Sequence, residues 1–274
     1  IDVGRVGTLV LDSLGQHMGS RELGRLARPG RFFDFTRDRP KTSLANGKRM
    51  LTKPNSTIHY AHDDRSGRDY IFLYLREPHM FGEDYVDAVV AILKHFNVSE
   101  FCRIGGMYDA VPHTRPLQVT GSLADSYIER VGDLVSPGGN SYEGPTSIVT
   151  IDSETLEQMK ITSNSLMLHV PQYVTLEEDY MGASRLMQVL CALYDFPLSF
   201  SDRARGEQQY RQITKAVEQN PEVTELIRQL EEQYDMLKIP GDQGVASGPN
   251  EPVMPPEIEA FLRELENGAA ERGD

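Results

Sequence analysis

The chain has 274 residues, and its hydrophobic content of 39% is enough to build a core, which excludes a wholly disordered protein. Its 41 acidic residues outnumber its 28 basic residues and give a formal net charge of -13. This charge argues against a nucleic-acid partner, because such a partner requires basic surface to neutralise its phosphates. No apolar run approaches the ~20 residues of a membrane span, and no signal sequence begins the chain, so we expect a cytoplasmic protein without a membrane partner.

The first half of the chain alternates segments that favour strands and helices. A strand is expected in VGTLVLDSLG, a helix in RELGRLA and a second strand in RFFDFT. STIHYAHDDRSGRDYIFLYL predicts a hairpin, because both arms are rich in β-branched and aromatic residues and residues 64–67 supply a turn. Apolar residues at helical spacing predict a helix in EDYVDAVVAILKHF.

The alternation continues up to residue 178. A strand around residues 101–104 leads into a glycine loop, and LQVTGS predicts another strand. GPTSIVTIDSETLEQMK predicts a helix entered through Pro145, and SNSLMLHV predicts a strand. Strands that alternate with helices predict an α/β core domain over residues 1–178, with a mostly parallel sheet flanked by helices.

From residue 179 the pattern favours helices alone, which predicts a helical extension over residues 179–238. Ser201 is the expected N-cap of its second helix, and Asn220 with Pro221 begins the third. Residues 239–255 read as a flexible linker, and residues 256–267 predict a C-terminal helix that docks on this chain or on a neighbouring subunit.

The third helix carries a stripe of apolar residues at close to heptad spacing. The stripe consists of Val223, Ile227, Leu230, Tyr234 and Leu237. Because the pattern is only two heptads long, it favours packing of the helix on its own chain over contact with an oligomer partner. The stripe is also the candidate contact with an oligomer partner.

The stretch FCRIGGMYDAVPHTRP raises the question of a binding loop. Gly105 and Gly106 lack the third glycine of a dinucleotide fingerprint, so they indicate a sharp backbone turn or a close approach to another chain. His113 and Arg115 can donate hydrogen bonds to an anion, and the prolines that flank them stiffen the loop. A stiff loop suits a binding site, and it equally suits a structural corner.

Three further polar residues are candidates for a cleft at the carboxyl edge of the sheet. Asp12 ends the first predicted strand, His169 ends a later one, and Glu143 lies beside a predicted helix start. If the strands are parallel, Asp12, the glycine loop and His169 share one rim. His59 and His62 point to opposite faces of a strand, so no metal site and no cofactor are predicted.

Several short motifs in a fixed order resemble one known family. They are IGGMYDAVPHTRP, the Tyr-Glu-Gly-Pro turn at 142–145, VPQY at 170–173, LYDFPL, VEQNPEV and LEEQYD. Over roughly residues 5–238 the chain resembles the bacterial branch of the proteasome assembly chaperone 2 family. The resemblance implies an α/β sheet with helices on both sides, a helical C-terminal extension and self-association. Eukaryotic and archaeal relatives help to assemble proteasome α subunits.

Two functions follow as expectations. The first is a non-enzymatic, homo-oligomeric scaffold or assembly-chaperone-like protein with a protein client. The alternative is a nucleotide- or anion-binding protein or a hydrolase, whose site consists of Asp12, Gly105, Gly106, His113, Arg115 and Glu143.

Overall fold

The computed structural model describes residues 1–45, 47–137, 147 and 153–237. The predicted linker, the predicted C-terminal helix and Pro145 lie outside these residues. Contacts divide the described chain into two compact units. The first unit contains residues 1–10, 102–137 and 164–237, and the second contains residues 11–45, 47–101, 147 and 153–163.

Helices and strands follow each other in an order that confirms the α/β class and the helical C-terminal part. The helices are α1 (Val6–His17), α2 (Gly82–His95), α3 (Asp125–Val131), α4 (Ser153–Gln158), α5 (Tyr180–Tyr194), α6 (Arg203–Val217) and α7 (Pro221–Leu237). The strands are β1 (Arg21–Arg25), β2 (Lys41–Ala45), β3 (Lys48–Thr52), β4 (Thr57–Asp63), β5 (Arg68–Tyr74), β6 (Glu100–Asp109), β7 (Val119–Ser122), β8 (Ser136–Pro137) and β9 (Thr162–Pro171). None of the helices in the described part of the chain has the length and apolar character that a membrane crossing requires.

A four-stranded sheet with the order β6-β9-β7-β8 organises the first unit. Parallel pairing, which the alternation of elements predicts, joins β7 to β8, and a parallel bridge joins Asp2 to Gly106. Strand β7 is antiparallel to β9, with Val119 opposite Leu168. Antiparallel pairing is therefore mixed into this sheet, and it also forms the separate sheets of the second unit.

The helices α5, α6 and α7 belong to the same unit as this sheet. Helix α5 is apolar around most of its circumference, and Leu186, Val189 and Leu193 are completely buried. A helix that is apolar on nearly all sides belongs inside a domain, because no face of it is suited to water. Helix α5 is therefore the central helix of the first unit.

Asp179 joins three segments of the first unit through its carboxylate and its backbone amide. It caps α5, since one of its oxygens accepts a hydrogen bond from the Gly182 amide at 2.8 Å. The other oxygen accepts from the Tyr210 hydroxyl of α6 at 2.9 Å, and the Asp179 amide donates to the Gly4 carbonyl at 2.8 Å. Burial raises the pKa of Asp179 above its ordinary value, although the Gly182 and Tyr210 hydrogen bonds oppose this rise. The N-terminal segment, α5 and α6 thus share one buried acid.

The second unit combines an antiparallel sheet with a helix layer. Strands β4 and β5 form the predicted hairpin, whose turn contains Gly67 at a φ of 66°, and β1 pairs with the outer edge of β4. The predicted helix at EDYVDAVVAILKHF is α2. Its buried face joins one hydrophobic cluster, which consists of Phe33, Tyr85, Val89, Leu93, Leu156 and Ile161. Strands β2 and β3 form a separate two-stranded ribbon.

The prediction of an N-terminal strand in VGTLVLDSLG is wrong, because this segment is the helix α1. Val6, Val10 and Leu14 recur every fourth residue and are buried, which is the spacing of a helix face. The carboxylate of Asp2 accepts hydrogen bonds from the amides of Gly7 and Thr8, which satisfies donors at the helix start.

Two neighbouring predictions are also corrected. RELGRLA, predicted as a helix, contains strand β1, whose hydrogen-bond ladder with β4 outweighs its helix-forming residues. RFFDFT, predicted as a strand, follows a short 3-10 turn at Pro29–Arg31. Its amides bond locally, since the Phe33 amide donates to the Pro29 carbonyl at 2.9 Å. The predicted N-cap Ser201 is replaced by Asp202.

Removing the Tyr210 hydroxyl tests the role of the buried acid. We expect Tyr210→Phe to lower the free energy of unfolding by about 1–3 kcal/mol, because a buried carboxylate loses one of its donors. Tyr60→Phe is the matched control, since the Tyr60 hydroxyl donates to Asp69 at 2.7 Å on the exposed surface. Chemical denaturation of both variants measures the difference, and equal losses would contradict a special role for Asp179.

Candidate functional site

Three neighbouring strands bring together an aspartate, a histidine and a threonine. His169 on β9 lies opposite Gln118 and therefore diagonal to Thr120 on β7, on the same face of the sheet. The His169 Nδ1 atom lies 2.6 Å from the Asp109 Oδ2 atom at the end of β6. The His169 Nε2 atom lies 2.8 Å from the Thr120 hydroxyl oxygen. These three residues form the Asp109–His169–Thr120 group.

The electrostatics of this group favour an ionised Asp109. Burial raises the pKa of Asp109, but the hydrogen bond and charge of His169 and the Ala110 amide outweigh burial, so the pKa lies below its ordinary value. In the neutral tautomer that carries its proton on Nδ1, His169 donates to the ionised Asp109, and its Nε2 accepts from the Thr120 hydroxyl. The order hydroxyl, imidazole, carboxylate is also that of nucleophilic triads. The sequence predicts His169 at the end of a strand, but it does not predict the position of Thr120, which depends on strand register.

His113 is a buried structural residue in this conformation. Its Nδ1 atom lies 2.9 Å from the Tyr173 hydroxyl, and its Nε2 atom lies 3.1 Å from the Thr214 hydroxyl of α6. Burial lowers the pKa of His113 to about 4, so the ring is neutral near pH 7. A neutral imidazole with partners on both nitrogens fits the structural corner, which is one of the two interpretations of this loop.

Arg115 is occupied by two carboxylates of α7. Its guanidinium lies 3.0 Å from Glu231 and 2.8 Å from Asp235, and the Thr114 hydroxyl also donates to Glu231. The Tyr234 hydroxyl donates to the Pro116 carbonyl at 2.7 Å. The loop that contains His113 and Arg115 is thus attached to α6 and α7, and an anion at Arg115 would compete with two acidic side chains.

The apolar stripe of α7 is used within its own chain. Val223, Ile227, Leu230 and Tyr234 are buried, whereas the side chain of Leu237 lies outside the described residues. This burial agrees with own-chain packing, the interpretation that the sequence favoured. Contact of these four residues with a partner would require α7 to leave its present position.

Gly105 and Gly106 lie inside β6 and not in a loop, which corrects the predicted end of this strand. A Cβ atom on Gly105 would lie 2.5 Å from the Ile1 carbonyl oxygen. A Cβ atom on Gly106 would lie 2.6 Å from a methyl group of Val6 and 3.2 Å from the Val3 carbonyl oxygen. These glycines therefore allow a close backbone approach, but the approaching segment is the N-terminal segment of the same chain and not another chain.

The sequence predicted that Asp12, the glycine loop and His169 share one edge of the sheet, and the structure does not place Asp12 at a strand end. The prediction that Asp12 ends a strand is wrong, because its segment is the helix α1, and Asp12 belongs to the second unit. Burial and the nearby Asp12 carboxylate raise the pKa of Tyr74. Glu143 lies outside the described residues. Among the described residues, no three histidine, cysteine, aspartate or glutamate side chains are grouped to hold a metal ion.

Taken together, these features define an α/β protein whose sheet, N-terminal segment and C-terminal helices are joined by buried polar contacts. The model of the PAC2 family matches residues 1–219, so the chain belongs to the PAC2 family. No curated protein matches the chain.

Solved structures with the same fold extend the comparison. A PAC2 family protein from Streptomyces avermitilis is 24% identical, with a TM-score of 0.69 over 82% of this chain and 94% of that chain. A proteasome-assembly chaperone homologue from Mycobacterium tuberculosis is 22% identical, with a TM-score of 0.71 over 82% of this chain and 95% of that one. The archaeal proteasome activator PbaB from Pyrococcus furiosus is 13% identical, with a TM-score of 0.59 over 78% and 89%. At these identities the likeness establishes the fold.

Adding a methyl group at Gly106 tests the close approach of the N-terminal segment. We expect Gly106→Ala to lower the free energy of unfolding by about 1–3 kcal/mol, because the new Cβ overlaps Val6 in a packed region. Gly24→Ala is the control, since a Cβ there meets nothing within 4 Å. Urea denaturation measures both variants, and an unchanged stability of Gly106→Ala would show that the segment does not pack closely here.

The buried imidazole of His113 predicts a specific pH dependence. Its pKa is about 4 in the folded chain against an ordinary value of 6.5, so between these pH values only the unfolded chain binds the proton. The free energy of unfolding therefore falls as the pH decreases from 6.5 to about 4, by about 3 kcal/mol in total from this residue.

Denaturation at several pH values across this window measures the effect. We expect His113→Gln to show a shallower decrease than the unmodified chain, because glutamine does not titrate. His95→Gln removes an exposed imidazole and controls for the loss of a histidine. A slope that is the same for His113→Gln and the unmodified chain would contradict the burial of a neutral His113.

Proposed function

We propose that this PAC2 family protein is a homo-oligomeric, chaperone-like scaffold that acts by binding a protein client and not by catalysis. The observation that carries the proposal is the family match over residues 1–219. It is supported by the fold shared with a proteasome-assembly chaperone homologue and with an archaeal proteasome activator. The client is a protein, since the charge of -13 disfavours nucleic acid, and the location is cytoplasmic.

Polar side chains of the first unit form internal hydrogen bonds, which agrees with a protein that binds a partner through a stiff surface. His113 and Arg115, which the sequence presents as ligand-binding candidates, are hydrogen-bonded to side chains of α6 and α7. Asp179 is committed to three segments of the same unit. These contacts stiffen the unit, and a stiff surface binds a partner with a smaller loss of conformational entropy.

A second candidate function is favoured by the Asp109–His169–Thr120 group. In a hydrolase, His169 would accept the Thr120 proton as the hydroxyl oxygen attacks an acyl carbon, and Asp109 would orient the imidazole. His169 would then donate this proton to the leaving group as its bond to the acyl carbon breaks, and water would release the acyl group from Thr120. As a purely structural group, the same hydrogen bonds join β6, β9 and β7 side by side. The choice between the two roles depends on whether a small molecule binds there.

Native mass spectrometry of the gently purified full chain tests both candidates at once. We expect a discrete multiple of the subunit mass without additional mass, because the proposed scaffold associates with itself and holds no cofactor. A monomer at every concentration would contradict the homo-oligomer. A stoichiometric extra mass of a few hundred daltons that is lost in His169→Gln would support the second candidate in place of the first.

A further inference from the structure

The ribbon formed by β2 and β3 is exposed along its described length. Every side chain described between residues 41 and 53 is exposed. This includes three large apolar side chains, Leu44 at 75%, Leu51 at 62% and Met50 at 55% exposure. The ribbon has two strands and belongs to a sheet of its own. A two-stranded ribbon by itself is only marginally stable in water, so this one requires further contacts to hold its shape.

The strand register places the apolar residues on defined faces. Leu51 lies opposite Thr42, and Leu44 lies opposite Arg49. Because directly opposed residues share a face and neighbours along a strand alternate, Leu44 and Leu51 lie on one face and Met50 lies on the other. The face with Leu44 and Leu51 is therefore the more apolar one, and the basic side chain of Arg49 lies beside these leucines.

The charge of the ribbon is opposite to the charge of the chain. Its basic side chains are Lys41, Lys48, Arg49 and Lys53, and residues 41–53 contain no acidic side chain. The chain as a whole carries a formal charge of -13. Two ribbons placed against each other would bring like charges together, whereas a ribbon placed on the acidic surface of another copy would bring opposite charges together.

We propose that the ribbon is an association arm whose Leu44 and Leu51 face docks on the acidic surface of a second copy of this chain. The proposal rests on the proposed homo-oligomer and names the surface that forms it. Each subunit gives one arm and receives another, so the contact is heterologous and closes into a ring when the rotation between subunits allows it. Among the described strands, β2 and β3 pair only with each other, so the outer edge of either strand can also extend the contact by strand addition.

The arm is tested by changing its two faces separately in the full chain. Leu44→Ser combined with Leu51→Ser removes the apolar face, and Met50→Ser is the matched control on the opposite face. The double variant removes two leucine side chains from the proposed contact, so we expect its subunit dissociation constant to increase by roughly tenfold or more. The control is expected to change it by less than about threefold, since a scattered surface substitution has a small effect. Sedimentation velocity over a range of concentrations measures the dissociation constants.

Thermal unfolding of each variant shows whether the fold of the subunit is intact, which is expected because these side chains are exposed. Added salt provides a second readout, and it is expected to weaken the association, since charged surfaces are screened. The association arm is supported if the subunit dissociation constant increases both in the double variant and on addition of salt.

The contradicting outcomes are separate. An oligomer with an unchanged dissociation constant in the double variant overturns the arm but not the homo-oligomer. A monomeric unmodified chain overturns both proposals. Arm-dependent binding of a single-stranded oligonucleotide without any change in subunit association would assign the ribbon to nucleic acid, and it would overturn the arm.

Discussion

The buried carboxylate of Asp179 is the constraint on which the first unit depends. A carboxylate that is removed from water requires hydrogen-bond donors in fixed positions, since an unpaired buried charge is very costly. Gly182 and Tyr210 supply these donors, and the Asp179 amide bonds to Gly4. The start of the chain, the central helix α5 and the helix α6 are therefore held in one arrangement, and none of the three can move without affecting the others.

The remaining contacts of this unit extend the same arrangement outward. The N-terminal segment lies against β6 because Gly105 and Gly106 have no side chains. His113 links its loop to α6, and Arg115 links the same loop to α7. The helical C-terminal part is thus bonded directly to the loops of the sheet. Residue types that are typical of a binding site, a histidine and an arginine between prolines, are used here to join elements.

Because His113 and Arg115 join elements of the first unit, other residues are the better candidates for binding a partner. A PAC2 family protein that binds partners requires an accessible surface. The polar side chains of Asp179, His113 and Arg115 do not supply it, because they contact other residues of the first unit. The exposed apolar and basic side chains of the β2–β3 ribbon offer such a surface on an otherwise acidic chain. The Asp109–His169–Thr120 group remains the place where small-molecule chemistry is geometrically arranged. The two regions thus correspond to the two candidate functions, association and ligand chemistry.

The sequence by itself determined the elements whose pattern is local and long. The β4–β5 hairpin and the helices α2, α5, α6 and α7 follow from side-chain periodicity, turn residues and caps such as Asn220. The segment VGTLVLDSLG fits a buried strand as well as a helix face, so packing and the Asp2 cap decided that it is helical. Tertiary structure alone decided that Thr120 contacts His169, because the local sequences of β7 and β9 do not determine the register between these strands. It also decided that His113 is neutral, because its burial depends on Tyr173 and α6, which are far away in the sequence.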